Sequence, residues 1–115
     1  KGVFMTAKID PKAFFDLPFE NGKDITDKEL KAAYDAGHTF IHIDLSDAHF
    51  SPQITLFNGN ELDRIRGGVI RIDNNSTKST LVAEGPSKKP EQLKAGYYYH
   101  ASGTTGWDII VKPIK

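Results

Sequence analysis

The chain has 115 residues, with 15 Lys and Arg against 15 Asp and Glu, so its formal net charge is zero. This length predicts a single domain over residues 1–115, and the balanced charge argues against a nucleic-acid partner, which would call for a clustered basic surplus. The lack of cysteine excludes disulfides, thiol nucleophiles and thiolate-bound metals, and no apolar run approaches the roughly 20 residues of a membrane-spanning helix.

The first predicted elements are an N-terminal strand over residues 3–9 and a helix over residues 26–36. The helix prediction rests on Thr26 and Glu29, which have the spacing of a capping box, and on Gly37, which is a suitable terminator. A helix of this length is too short to persist alone. We therefore expect it to pack against a sheet.

Short runs rich in β-branched and aromatic residues follow the helix and predict strands. In the clearest run, residues 39–45, Ile41 and Ile43 share one face while His42 and Asp44 share the other. This alternation predicts a strand with one buried face.

The rest of the chain predicts further short strands separated by glycine and proline turns. Residues 53–66 are expected to form a hairpin around Asn58-Gly59-Asn60, with residues 61–66 as its returning strand. Residues 86–94 are the most polar stretch and are expected to form an exposed loop. The remaining predicted strands are 69–72, 79–83, 97–101 and 107–111.

About seven or eight short strands with one helix predict a mainly β fold, namely an antiparallel β-sandwich or jelly roll. The apolar residues at alternate positions of the strongest strands are expected to form its core. This predicted core comprises Ile41, Ile43, Ile54, Leu56, Trp107, Ile109 and Val111.

Histidine and aspartate recur where the strand at residues 39–45 ends. His42, Asp44, Asp47 and His49 are ligand types that divalent ions accept. Their spacing matches no metal motif that we know, and a solvated strand face running into a polar loop is the alternative. Asp44, Asp47 and His49 are therefore the weak candidates for a metal, and otherwise no cofactor is predicted.

A second group of candidates lies on the aromatic strand. Successive strand residues face opposite ways, so Tyr98 and His100 share one face and Tyr97 and Tyr99 the other. One pair is expected to pack inward while the other meets solvent or a partner. An exposed Tyr98 would offer a contact surface to a sugar ring or a protein; the alternative is a Tyr98 in the core.

Catalytic motifs are scarce. The chain has no Gly-x-Ser-x-Gly elbow and no phosphate-binding glycine loop. Serine, histidine and aspartate are all present, but a triad is defined by its geometry, so a small hydrolase stays as a third hypothesis.

The C-terminal two thirds of the chain resembles the bacterial pre-peptidase C-terminal (PPC) domain over residues 35–112. The matching segments are Asp35-Ala36-Gly37, residues 51–60, Ala95-Gly96-Tyr97-Tyr98-Tyr99 and residues 105–111. The resemblance implies a β-sandwich that serves as a secreted, non-catalytic module attached to hydrolases and sometimes binds their polymeric substrate. The helix before residue 35 and Glu61-Leu62-Asp63-Arg64 depart from the family pattern, so no calcium site is carried over.

Residues and resemblance together predict a non-catalytic binding or accessory module, secreted or at the cell surface, with a polysaccharide or protein ligand. A self-associating subunit of coat or virulence type, forming a homo-oligomer, is the alternative. The predicted ligand-binding residues are Tyr98, His100, His42, Asp44 and His49.

Overall fold

The computed structural model describes residues 12–115, which form eight strands in two sheets and one α-helix. The strands are β1 (Phe14–Asp16), β2 (Phe40–Leu45), β3 (Gln53–Thr55), β4 (Gly68–Asn74), β5 (Thr80–Ala83), β6 (Glu91–Leu93), β7 (Tyr97–Gly103) and β8 (Asp108–Pro113), and the helix is α1 (Asp27–Asp35). The large sheet has the order β1-β2-β4-β7-β8 and the small sheet the order β3-β5-β6. Within this range no helix is long and apolar enough to cross a membrane.

The predicted mainly β fold, with two layers of short strands and a single helix, is confirmed. The strand directions are mixed, however, since β1-β2, β2-β4 and β3-β5 are parallel pairs. The reason is connectivity: α1 lies between β1 and β2, and β3 joins the other sheet between β2 and β4, so these connections are crossovers rather than hairpins. The predicted strand at residues 3–9 lies outside the described residues.

The helix begins and ends as its sequence signals predict. The Thr26 N–H donates to Glu29 Oε1 at 2.9 Å, and the Glu29 N–H donates to Thr26 Oγ1 at 3.2 Å, which completes the capping box. At the other end, the N–H groups of Gly37 and His38 donate to the carbonyls of Tyr34 and Ala33. This is the Schellman arrangement, and Gly37 adopts the positive φ of 110° that it requires.

Replacing Thr26 by alanine is expected to lower the free energy of unfolding by about 1 kcal/mol, because the Glu29 N–H loses its acceptor. Equilibrium urea unfolding of the wild type and the variant measures this loss. Thr26→Ser keeps the hydroxyl and is the matched control. Equal stability of Thr26→Ala and the wild type would contradict a role for the cap.

Two sequence predictions between the strands are wrong. Residues 61–66 do not form a returning strand, because Asp63 Oδ1 accepts hydrogen bonds from the N–H groups of Ile65 and Arg66 and holds a turn. Part of the predicted loop 86–94 forms β6 on the edge of the small sheet, where Leu93 is 1% exposed. A single apolar side chain in a polar stretch gave too weak a signal for a strand.

The core lies between the sheets and under α1. Of the seven predicted core residues, Ile41, Ile43, Ile54 and Leu56 are fully buried. Trp107 and Ile109 are only half-buried, and Val111 is 47% exposed. The difference arises because β8 is the edge strand of the large sheet and its inward side borders an open cleft.

The helix and the small sheet pack on one side of the large sheet, as the shared core shows. The opposite side, which we call the outer face, is covered by no other element of residues 12–115 and carries exposed or half-buried side chains. The predicted alternation of residues 39–45 is confirmed, since Ile41 and Ile43 point to the core and His42 and Asp44 to the outer face.

Candidate functional site

Four of the five predicted ligand-binding residues lie together on the outer face. Strand register arranges this face in neighbouring rows. The row across β1, β2, β4 and β7 contains Asp16, His42, Arg71 and His100. The next row, across β2, β4 and β7, contains Asp44, Asp73 and Tyr98.

His42 is the centre of a hydrogen-bond network that joins three strands. In the protonated ring, Nδ1–H donates to Asp16 Oδ1 at 2.7 Å and Nε2–H donates to Asp73 Oδ2 at 2.8 Å. Burial lowers the pKa of His42, but the hydrogen bonds and charges of the two carboxylates outweigh it and raise the pKa above the ordinary 6.5. The network therefore favours the imidazolium.

Arg71 extends this network to the aromatic strand. Its Nε and Nη2 donate to Asp73 Oδ1 at 3.1 and 3.0 Å. Its guanidinium also lies 3.8 Å from the centroid of the Tyr98 ring, a cation–π contact. The Tyr98 side chain is half-buried and held in place by this contact. The sequence analysis considered an exposed Tyr98 and a Tyr98 in the core, and the observed burial lies between these two alternatives.

His100 occupies the end of the first row and is half-buried. Its ring makes no hydrogen bond or ion pair within residues 12–115, in contrast to the ring of His42. Both ring nitrogens are thus left for contact with solvent or a ligand.

The weak metal candidates do not converge. Asp44 accepts a hydrogen bond from Asn75 Nδ2 at 3.0 Å, whereas Asp47 accepts from the N–H and hydroxyl of Thr77 at 2.8 and 2.9 Å. The Thr77 hydrogen bonds hold the pKa of Asp47 below its usual value. Within residues 12–115, no group of three or more His, Asp or Glu side chains is arranged to hold a metal ion.

His49 lies off the outer face, in the loop that follows β2. Its ring stacks on that of Phe19 at 3.8 Å between centroids, and its Nε2 is 2.5 Å from the Phe19 carbonyl oxygen. A shallow groove of about 310 Å³ nevertheless connects it with the outer face, because His49, His42, Asp44 and Asp16 all line this groove.

The sequence did not identify Asp16, Arg71 and Asp73 as site residues. Arg71 lies in a predicted strand, but only its register with His42 places it in the network. Asp16 belongs to a strand of three residues, whose parallel pairing with β2 leaves no periodic signal. Their place in the site depends on the pairing of strands that are distant in sequence.

Comparisons with known proteins find a solved structure with a similar fold but no family to which the chain belongs. No family model and no curated protein matches the chain. Among solved structures, the chain is similar to residues 132–251 of StcE from enterohemorrhagic E. coli, with a TM-score of 0.54 and 15% sequence identity. The match covers 83% of this chain and 92% of the StcE segment. At this identity the likeness shows a related fold and nothing about a ligand, and membership of the PPC family stays a prediction.

Proposed function

We propose that this chain is a non-catalytic accessory module whose outer face binds a polysaccharide or protein ligand. One observation carries the proposal: His42, Asp44, Tyr98 and His100 lie side by side on the uncovered side of the large sheet. The PPC resemblance adds that the module acts outside the cell or at its surface.

The contacts within this face support binding. Asp73 accepts hydrogen bonds from both His42 and Arg71, and Arg71 lies over the Tyr98 ring, so each of these side chains has a protein partner in the absence of a ligand. A pre-ordered surface loses less side-chain entropy on binding than a mobile one. The face also mixes carboxylates, imidazoles and an aromatic ring, which together suit the hydroxyl groups and apolar ring faces of sugars.

The StcE likeness is compatible with an accessory role. The StcE segment begins at residue 132, so in StcE a related fold is one part of a longer chain. We propose the same type of role here, without a catalytic step of its own. Turnover of a polysaccharide or peptide by the isolated chain, abolished in His42→Gln or His100→Gln, would instead favour the hydrolase hypothesis.

Replacing Tyr98 by alanine is expected to weaken ligand binding by about 1–3 kcal/mol, because the ring is the largest contact surface among the candidate residues. The ligand is first selected by probing an array of purified polysaccharides and an array of purified proteins with the labelled chain. Affinity is then measured by titration calorimetry. Stability should fall by only about 1–2 kcal/mol, since the ring is half-buried and loses one cation–π contact.

Tyr99→Phe on the opposite face of the same strand is the matched control and should leave this affinity unchanged. Unchanged affinity in Tyr98→Ala would contradict the proposal. Equal losses in the two variants would do the same, because they would show that the aromatic strand acts through stability alone.

Self-association is a second candidate, favoured by the exposed edge of β8. In the part of the chain that the structure describes, β8 pairs only with β7, and Ile110 and Val111 are each 47% exposed. A six-residue edge strand of this kind can pair with a second copy. Sedimentation velocity distinguishes the two: a concentration-dependent dimer that Val111→Lys abolishes would favour self-association, and a monomer at all concentrations would exclude it.

A further inference from the structure

A cleft of about 260 Å³ opens between the two sheets, on the side of the large sheet away from the outer face. It is lined by the edge strands β8 and β6, by their neighbours β7 and β5, and by the loop that joins β5 to β6. Its apolar walls come from both sheets, with Val82 and Leu93 on one side and Ile109 and Val111 on the other.

Tyr99 presents a hydroxyl to this cleft. The residue is only 6% exposed, yet its hydroxyl has no hydrogen-bond partner within residues 12–115. In the same range no side-chain nitrogen or oxygen is both completely buried and unpaired. The hydroxyl of Tyr99 therefore reaches the open space of the cleft that the side chain lines. A buried polar group with this access needs a partner from solvent or from a ligand.

The charges around the hydroxyl are those of Glu84 and Glu91. Both line the cleft, and neither forms an ion pair within residues 12–115. Burial raises the pKa of Tyr99, and the negative charges of Glu84 and Glu91 raise it further. Lys88 and Lys89 also line the cleft and, like the two glutamates, form no ion pair within residues 12–115, but the charges that raise the pKa of the phenol are those of the two carboxylates. We therefore expect a group bound at the hydroxyl to meet these carboxylates.

We propose that this cleft binds an ammonium group carried on a short aliphatic chain. The ammonium would donate hydrogen bonds to Tyr99 Oη and to the carboxylates of Glu84 and Glu91, while its methylene groups would lie on the apolar walls. A volume of about 260 Å³ suits one such group rather than a drug-sized ligand. The same chemistry is found in a free alkylamine and in the lysine side chain of a protein partner.

The test is a titration of the methyl-labelled chain, followed by NMR, at about pH 7. The probes are n-pentylammonium, 1-pentanol and pentanoate, which share an alkyl chain and differ in their polar end. We expect saturable shifts of the methyl groups of Leu93, Ile109 and Val111 with pentylammonium. Its affinity should be about tenfold higher than that of pentanol, as one charge-assisted hydrogen bond provides. Pentanoate should not bind.

A lysine derivative blocked at both backbone ends distinguishes the two sources of the ammonium group. Binding at least as tight as that of pentylammonium supports a lysine side chain of a partner. Binding of pentylammonium alone supports a small free amine.

Variants connect the binding to the named groups. Glu91→Gln should weaken pentylammonium binding about tenfold and Tyr99→Phe about fivefold. Neither should change the melting temperature much, because the Tyr99 hydroxyl has no protein partner and Glu91 is exposed. Lys88→Gln removes a positive charge, which repels the ammonium group, and should leave pentylammonium binding unchanged or tighten it.

Three results of the probe titration would overturn the proposal. They are equal binding of pentanol and pentylammonium, preferential binding of pentanoate, and no saturable shift at the cleft methyl groups with any amine probe. Undiminished binding in both Glu91→Gln and Tyr99→Phe would also overturn it, since the ammonium would then lie elsewhere. The outer face takes no part in this test, so its outcome is independent of the function proposed above.

Discussion

Replacing Leu56 by alanine is expected to lower the free energy of unfolding by about 2–5 kcal/mol, because the side chain is fully buried and its removal leaves a cavity between the sheets. Ile109→Ala should cost only about 1 kcal/mol, since Ile109 is half-buried at the edge of the cleft. Urea unfolding monitored by circular dichroism measures both losses under the same conditions.

The pair is informative because the sequence places both residues in the core, whereas the structure separates them. Leu56→Val, which removes one methylene group, is the control and should lie between the wild type and Leu56→Ala. Equal losses for Leu56→Ala and Ile109→Ala would contradict the position of β8 at an open edge.

Asp73→Asn is expected to lower the free energy of unfolding by about 1.5–3 kcal/mol, because it removes a carboxylate that accepts charged hydrogen bonds from His42 and Arg71. The matched control is Asp16→Asn, on the other side of the same imidazole. The Asp16 side chain is 73% exposed and that of Asp73 is 16% exposed. The loss for Asp16→Asn should therefore stay below about 1 kcal/mol.

The same network predicts how stability depends on pH. The pKa of His42 is raised in the folded state, so its contribution is complete below the unfolded pKa of 6.5 and is lost as the pH rises through the folded value. The stability difference between the wild type and His42→Gln should therefore be larger at about pH 5.5 than at about pH 8.5.

Denaturant unfolding of both proteins across this range measures that difference, in which the contributions of the other histidines cancel. His100→Gln is the control, because His100 has no carboxylate partner within residues 12–115. A difference for His42→Gln that is constant with pH, or that grows at high pH, would contradict the network.

The local elements could be predicted because their signals lie within a few residues of one another. The capping box of Thr26 and Glu29 and the alternation around Ile41 and Ile43 both depend on spacing alone. Strand direction could not be predicted, because alternation is the same in parallel and antiparallel strands. The turn after residue 61 was missed because Asp63 competes for backbone N–H groups that a strand would use.

In the candidate site, too, the pairs within one strand could be predicted, whereas the contacts between strands could not. The sequence placed His42 with Asp44 and Tyr98 with His100, since each pair shares one strand face. That the two pairs lie on a common face depends on β4, which separates β2 from β7 in the large sheet. The roles of Asp16, Arg71 and Asp73 follow from the register of the strands across that sheet. The residue pattern within a single strand does not determine this register.

The most direct test of the outer face as the binding surface is an amide chemical-shift map. The isotope-labelled chain is titrated with the highest-affinity ligand from the polysaccharide and protein arrays. We expect the largest shifts along β2, β4 and β7 at residues of the outer face, with His42, Tyr98 and His100 among them. Shifts confined to α1 and the small sheet would contradict the account, because they would place the ligand on the opposite side of the large sheet.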